Sequence, residues 1–468
     1  MAATAEVPYY YASLDFEALW REFPPPPSYF DTTYRKSADE IRALQNHRLK
    51  QQVARCGEIP FYQRHWRQAG IKPGDVQTVD DLRKLPSFAV SDLRDSIDRA
   101  PPFGDYMGVD PKNGPPTPWV MQTSGGTTGL PRPILYTPRD REVTGILGAR
   151  RLFMAGIRAG DLVQTTHSLG LSNAGLSTRE AVWKYSGAVP VMTGSGASTP
   201  TRQQIEIAKA WKIRALIGFP AYLRHMALVA RDEMKIDPRE MSVRIIGTHL
   251  GTDDRRELEE LWNAKVYDSY GANEAGMMAA DCSERNGMHI FEDTHFIEIV
   301  DPETGAAVPE GQRGTVYVTC LFKHAAPMIR FNINDVSAFA SGTCACGGTH
   351  RRIQGIFGRS DNMVKLRGVN VFPEAIGTLL GGDKRTTGEY LCVVEPSGPS
   401  SREEMTVMIE TSDGSVEKGA VQAHYERRFK DALGVKMTVQ VVDRGALDQL
   451  TGLTRTSKIK RLIDKRKK

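Results

Sequence analysis

Apolar and polar positions change their spacing three times along this chain. Over residues 33–70 they mix at about helical spacing, which predicts helices, and short helices continue around Pro86. Residues 1–22 carry aromatics and a charged segment that reads as helical, and Pro24 to Pro27 form a stiff spacer. From residue 119 the pattern becomes short apolar runs alternating with longer helical stretches. Leu162–Gln164, Val189–Met192, Ala215–Gly218 and Ser242–Gly247 read as buried strands, and 140–157, 201–211, 221–233 and 254–263 as helices. Such alternation predicts an α/β fold with a mostly parallel sheet covered by helices and ligands at the carboxyl ends of its strands. Residues 289–340 are β-rich, with a turn at Pro302–Gly305, and predict a small barrel or antiparallel sheet. From about 361 a second α+β unit follows, with strands near 390–395, 405–410 and 437–442 and a helix over 416–433.

The chain of 468 residues is too long for one compact core, so two to four domains or subdomains are expected. The predicted division is a large domain over 1–360 and a small α+β domain over 361–468, with a hinge at Asp361. Apolar content of 40% and charge of 25% are ordinary for a globular protein. No run of eighteen apolar residues is present, and the first residues lack the basic-then-apolar layout of a signal peptide. A cytoplasmic location with no membrane partner is the expectation. The net charge of +5 is mild, and its basic excess sits near the end, around Lys458–Arg461 and Lys465–Lys468. Without a wider basic face interleaved with aromatics, nucleic acid is not an expected partner. Gly194-Ser195-Gly196 lacks the third glycine of a dinucleotide fingerprint.

The densest chemistry lies in Thr123, Ser124, Gly125, Gly126, Thr127, Thr128 and Gly129, followed by Leu130, Pro131 and Arg132. Glycines let backbone N–H groups curl around an anion, and hydroxyls add donors to phosphate oxygens. This is a nucleotide-phosphate loop, but it lacks the Gly-Lys-Ser/Thr ending of a Walker-type loop.

With four further segments in order, the chain resembles the adenylate-forming superfamily of acyl-CoA ligases, in its phenylacetate–CoA ligase-like branch. Asp268-Ser269-Tyr270-Gly271-Ala272-Asn273-Glu274 resembles the family's Y-G-x-T-E motif. Arg330–Asp335 resembles its R-x-x-x-D segment, Gly358–Met363 with Arg367–Pro373 the hinge region, and Ser457–Arg461 the catalytic-lysine motif. The resemblance spans residues 123–461 and implies ATP, Mg²⁺ and CoA as cofactors. A carboxylic acid attacks the α-phosphate of ATP, and a thiol then takes the acyl group from the adenylate. It implies that the loop, Thr128 included, holds the β- and γ-phosphates and that Glu274 holds Mg²⁺. Asp335 would accept the ribose hydroxyls, with an ion pair to Arg330 as the competing reading, and Arg359 would contact the ribose or phosphate. Asp268 and Tyr270 would flank the adenine, by hydrogen bond and by stacking, and Gly271 would belong to the nucleotide site. Lys458, with Lys460 as its rival, would bridge the carboxylate and α-phosphate in the transition state. The C-terminal domain would rotate about Asp361 between the two half-reactions.

The acyl pocket is expected from 167–175 and around 217–221, with His167, Gly170, Gly218 and Ala272 lining it and the small residues leaving room for a flat ring. An aryl or arylacetic acid is the expected substrate and CoA the expected acceptor; a carrier-protein thiol or another nucleophile is the alternative. A homodimer is usual among look-alikes. Cys282, His289, Cys344 and Cys346 would make a closed structural Zn²⁺ site, with His295, His324 and His350 as rival ligands and reduced thiols as the other reading. The chain departs from the family at Asn273, at Gly247–Thr252 and at Asn362, and His167 stands where aromatic residues are frequent.

Overall fold

A computed structural model describes residues 9–111, 116–124, 130–361, 364–366, 369–397, 402–454 and 459–466. The fold is α/β. The largest sheet among the described residues has nine strands and combines parallel with antiparallel pairs. Two compact units divide the chain. One comprises Met1–Val163, Leu169–Met192 and Tyr267–Gln354, and the other Gln164–Ser168, Thr193–Val266 and Gly355–Lys468.

The first unit is organised around the Pro138–Met154 helix. Thr137 and Asp140 close its N-terminus as a reciprocal capping box. The Asp140 carboxylate also accepts from the backbone N–H groups of His324 and Ala325, which ties a distant loop to the helix start. Val143, Ile146 and Leu147 are buried, and so are Arg141, Arg150 and Arg151. A buried cation needs a partner. Arg150 grips Asp293 through two contacts of 2.9 and 3.0 Å, and Arg141 meets Glu180 at 2.8 Å. Gly148 is required by close approach, because a Cβ there would lie 2.7 Å from that of Ala181.

The β-rich region of this unit is antiparallel. His295–Val300 pairs with Gly314–Cys320, which pairs with Phe331–Ser337. The Asp301–Gly305 turn closes through the Gly305 N–H on the Asp301 carbonyl at 2.8 Å, with Gly305 at φ +68°. A second antiparallel run joins residues 269–272, 276–281, 288–290 and 352–353.

In the second unit Ala215–Ile217 and Ile245–Thr248 pair in parallel. Helices Thr201–Ala210, Pro220–Leu228 and Arg255–Trp262 match the predicted segments to within a few residues. Towards the C-terminus, Thr386–Ser397 and Arg402–Thr411 form an antiparallel pair, flanked in parallel by Leu462–Asp464 and Thr438–Val442. Cys392 and Val394 point inward with Met405, Val407 and Ile409, at the two-residue period of a half-buried sheet. Val421, Tyr425 and Phe429 on the Lys418–Leu433 helix, four residues apart, cover that face. The helix stops at Gly434, which adopts φ +71°. No described helix is long and apolar enough to cross a membrane.

Candidate active site

The phosphate loop is held at its base. Val120–Ser124 and Arg132–Tyr136 pair antiparallel, with Ser124 opposite Arg132. Gly125, Gly126, Thr127, Thr128 and Gly129 lie outside the described residues. Thr123 is fixed from two sides: its N–H donates to the Leu171 carbonyl at 2.9 Å, and its carbonyl accepts from the Asn273 side-chain amide at 3.2 Å. Asn273, a departure from the family motif, therefore ties the tyrosine motif to the loop.

Glu274 follows in the turn between the Lys265–Ala272 and Gly276–Asp281 strands. Glu274 is 8% exposed, and its carboxylate forms a short ion pair with Arg132, itself 6% exposed. Burial alone would raise its pKa, but the Arg132 guanidinium, with help from Lys323, holds the carboxyl below its usual range. The group is an anion at neutral pH. Three successive carbonyls of this turn are each met by a buried side chain. Tyr136 donates its hydroxyl to the Asn273 carbonyl at 2.9 Å, and Lys323 Nζ donates to that of Glu274 at 2.8 Å. His295 Nε2 meets the Ala275 carbonyl at 2.9 Å. Burial pushes the His295 pKa down to about 4, so the ring is neutral and engages the carbonyl as an N–H donor. Lys323 is 1% exposed, its ammonium lies 5.0 Å from the Tyr136 ring centroid, and burial lowers its pKa.

Sequence reasoning missed Lys323, Tyr136 and the pairing of Arg132 with Glu274. The one available signal was a lysine directly after the apolar run Cys320-Leu321-Phe322.

Asp335 lies half-buried on the Phe331–Ser337 strand and accepts the Tyr270 hydroxyl at 2.8 Å. Arg330, the competing partner, instead contacts Glu298 at 3.3 Å and donates to the carbonyls of Arg83 and Leu85. Asp268 is buried; its N–H donates to Asp281 and its carboxylate accepts the Ser269 N–H, both at 2.8 Å. Gly271 is needed where the hairpin narrows, because a Cβ would lie 2.8 Å from the Gly276 carbonyl oxygen. The first unit thus brings together Thr123, Asn273 and Glu274 on one side and Tyr270 with Asp335 on another. Ala272 is half-buried in the same strand, and Gly170 is exposed with open space where a Cβ would stand.

In the second unit His167 is buried, and its ring lies 4.8 Å, edge-on, from Phe219; His249 follows at 6.2 Å from Phe219. Gly218 is closely packed. A Cβ there would fall 2.1 Å from Thr166 Oγ1. The glycine allows this close packing against Thr166. Arg359 forms a two-point ion pair with Asp361, at 2.7 and 2.6 Å. Lys458 lies outside the described residues.

The metal candidates converge in the first unit. Ligand atoms of Cys282, His289, Cys344 and Cys346 all lie within 4.8 Å of one another. Cys282 and Cys344 sulfurs are 3.6 Å apart, and Cys346 Sγ is 3.4 Å from His289 Nε2. A tetrahedron of sulfur ligands at about 2.3 Å from zinc has edges of about 3.8 Å, so the spacing fits. His289 Nδ1 faces the His350 carbonyl at 3.2 Å, which leaves Nε2 towards the thiols. Burial lowers the His289 pKa to about 4, keeping the ring neutral, the form that ligates. Cys346 Sγ receives the Tyr34 hydroxyl at 3.3 Å and the Gly348 N–H at 3.4 Å. Two of the rival histidines are engaged elsewhere, His350 with Tyr29 and the carbonyls of Ile290 and Thr33, and His295 with Ala275 and Thr294, and His324 is not part of the cluster.

A profile of the AMP-binding enzyme family matches residues 50–320, and one of the AMP-binding enzyme C-terminal domain matches residues 368–466. The chain belongs to the AMP-binding enzyme family. Among its family relatives, the phenylacetate-coenzyme A ligase of Aromatoleum evansii is 31% identical over 460 residues, covering 95% of this chain and 99% of the relative. The phenylacetate-coenzyme A ligase of Thermus thermophilus is 31% identical over 456 residues, covering 92% and 97%. A solved 2-hydroxyisobutyryl-CoA ligase, in its postadenylation state with R3-HIB-AMP, superposes with a TM-score of 0.83 at 28% identity, covering 95% of this chain and 94% of that one. The anthranilate CoA ligase AuaEII, at 18% identity and a TM-score of 0.54 over 69% and 63% of the chains, shares the fold.

Proposed function

We propose that this AMP-binding enzyme is an ATP-dependent, AMP-forming ligase that activates an aryl or arylacetic acid and transfers the acyl group to CoA. The observation that carries the reading is the buried, ionised Glu274, set by three capped carbonyls beside the base of the phosphate loop. Relatives named phenylacetate-coenzyme A ligase, matched over nearly their whole length, support the same reaction.

A carboxylate oxygen attacks the α-phosphorus and pyrophosphate leaves. The thiol sulfur then attacks the adenylate carbonyl, AMP leaves and the thiol proton is released. The acid is already an anion at neutral pH, so the first step needs charge stabilisation and in-line positioning more than a base. In this reading Thr123 to Gly129 hold the β- and γ-phosphates. Glu274 would hold Mg²⁺, which as a hard cation would supply neutralisation of charge on the phosphates. Asp335, oriented by Tyr270, takes the ribose hydroxyls, and Asp268 and Gly271 border the adenine. Lys458 supplies the cation for the adenylation transition state, and Arg359 leaves its Asp361 partner to reach the nucleotide.

The reading also takes residues 1–360 and 361–468 as the functional domains, with Asp361 as hinge. His167, Gly170, Gly218 and Ala272 are the residues this reading assigns to the acyl group. Cys282, His289, Cys344 and Cys346 hold a structural Zn²⁺, and the enzyme works as a cytoplasmic homodimer.

The test is a panel of carboxylic acids scored by ATP–pyrophosphate exchange and by thioester formation with CoA. Aromatic acids should drive both. If no acid supports exchange, the proposal fails; if exchange occurs but acyl transfer needs a carrier protein, CoA is not the acceptor.

A further inference from the structure

Tyr136 sits where three segments of the first unit meet, and its hydroxyl takes part in a closed ring of hydrogen bonds. The Thr123 N–H donates to the Leu171 carbonyl at 2.9 Å. Two residues on, the Asn173 side-chain amide donates to the Tyr136 hydroxyl at 3.2 Å. That hydroxyl donates to the Asn273 carbonyl at 2.9 Å, and the Asn273 side-chain amide returns to the Thr123 carbonyl at 3.2 Å. The ring joins the base of the phosphate loop, the turn that carries Glu274 and the 167–175 stretch expected to border the acid. Tyr136 and Asn173 are both buried, so little water competes for these groups.

The direction of the bonds through Tyr136 is fixed from outside the ring. Arg141, buried and paired with Glu180 at 2.8 Å, donates to Asn173 Oδ1 at 2.6 Å. A guanidinium has no acceptor, so the amide presents its oxygen to Arg141 and its N–H to Tyr136. The hydroxyl oxygen is thereby used as an acceptor. Its proton is left for the Asn273 carbonyl, which can only accept. Burial raises the Tyr136 pKa, so that proton stays on the oxygen. Hydrogen bonds aligned head to tail in this way reinforce one another.

We propose that Tyr136 is a positioning residue. Its hydroxyl sets the Glu274 turn in register with the start of the Asn173–Glu180 helix, so one proton holds both the ATP side and the acid side of the site. The role rests on the ligase reading, in which Glu274 serves ATP and residues 167–175 serve the acid.

Two variants of the full chain test it. Tyr136→Phe removes the hydroxyl and keeps the ring beside the cations of Arg141 and Lys323, 5.2 and 5.0 Å from its centroid. Asn173→Asp is isosteric. Its carboxylate accepts from Arg141 and also from Tyr136, which turns the hydroxyl proton away from the Asn273 carbonyl. ATP affinity is read by equilibrium dialysis with Mg²⁺ and no acid, and the KM for acid by ATP–pyrophosphate exchange. Each variant should weaken ATP binding about fivefold, the loss of one hydrogen bond, and raise the acid KM severalfold. The double variant should be no worse than Tyr136→Phe alone. Asn173→Asp changes no packing volume, so a tyrosine that merely fills space would leave its constants at the wild-type values. Wild-type ATP affinity in either variant, an unchanged acid KM, or additive losses in the double variant overturns the proposal. A wild type that binds ATP but exchanges with no acid refutes the ligase reading instead, and ATP affinity alone then decides the role of Tyr136.

Discussion

Replacing Arg132 by methionine should expose how strongly the fold holds Glu274. Both side chains are buried and in direct contact, and paired charges of this kind are taken at a separation of about 4 Å. At an effective dielectric of about 20 that attraction is about 4 kcal/mol, in line with the roughly 3–5 kcal/mol lost when one partner of a buried pair is deleted. In wild type the Glu274 pKa is below its unfolded value, so its contribution is present above the unfolded pKa of about 4.5 and is lost as pH falls through the lower folded value. In Arg132→Met the sign reverses. Burial, no longer opposed by the guanidinium, lifts the carboxyl above its unfolded value, and the destabilisation shrinks as acid protonates it. The assay is urea unfolding of wild type, Arg132→Met, Glu274→Gln and the double variant at pH 7.5 and pH 5. Arg132→Met should cost about 3–5 kcal/mol at pH 7.5 and less at pH 5. The double variant should recover much of the loss, because no lone charge remains buried. A cost below about 1 kcal/mol at pH 7.5, or one independent of pH, would refute the argument.

Lys458→Ala should reduce adenylation by orders of magnitude while leaving thioester formation from preformed adenylate largely intact; equal loss in both half-reactions would contradict its assigned role. Cys282→Ser, or prolonged chelation, should remove one zinc per chain by elemental analysis and lower the unfolding midpoint. Absence of zinc in the purified wild-type protein would remove the metal from the account. Gly218→Ala should destabilise by about 1–3 kcal/mol through overpacking on Thr166, and Thr166→Ala should restore much of it. If Gly218→Ala is neutral in stability and changes only acid preference, the glycine serves the substrate instead.

Much of the helical pattern was readable because amphipathic spacing is local. Lys418–Leu433 was expected as 416–433, and its Val421, Tyr425 and Phe429 stripe packs as a four-residue period dictates. The three cysteines and His289 were legible as a set because few residue types bind zinc, yet only folding chose His289 over three rivals. The close approach of Gly218 to Thr166 carried no local signal, since a glycine looks the same whether it makes room for a ligand or for a neighbouring threonine. Lys323 carried almost no signal. It has no motif partner in sequence, and its importance comes from a turn nearly fifty residues away.

The sequence by itself determined the alternation of strands and helices and the order of motifs that places the chain in its family. These depend on residue type at short spacing, where backbone geometry and side-chain chemistry act directly. Tertiary structure decided which cation faces Glu274, which side chain orients Asp335 and which histidine lies beside the thiols. Those outcomes turn on burial and on contacts between distant segments. Both fix the free energy of a charge or hydrogen bond, and neither is encoded in local spacing.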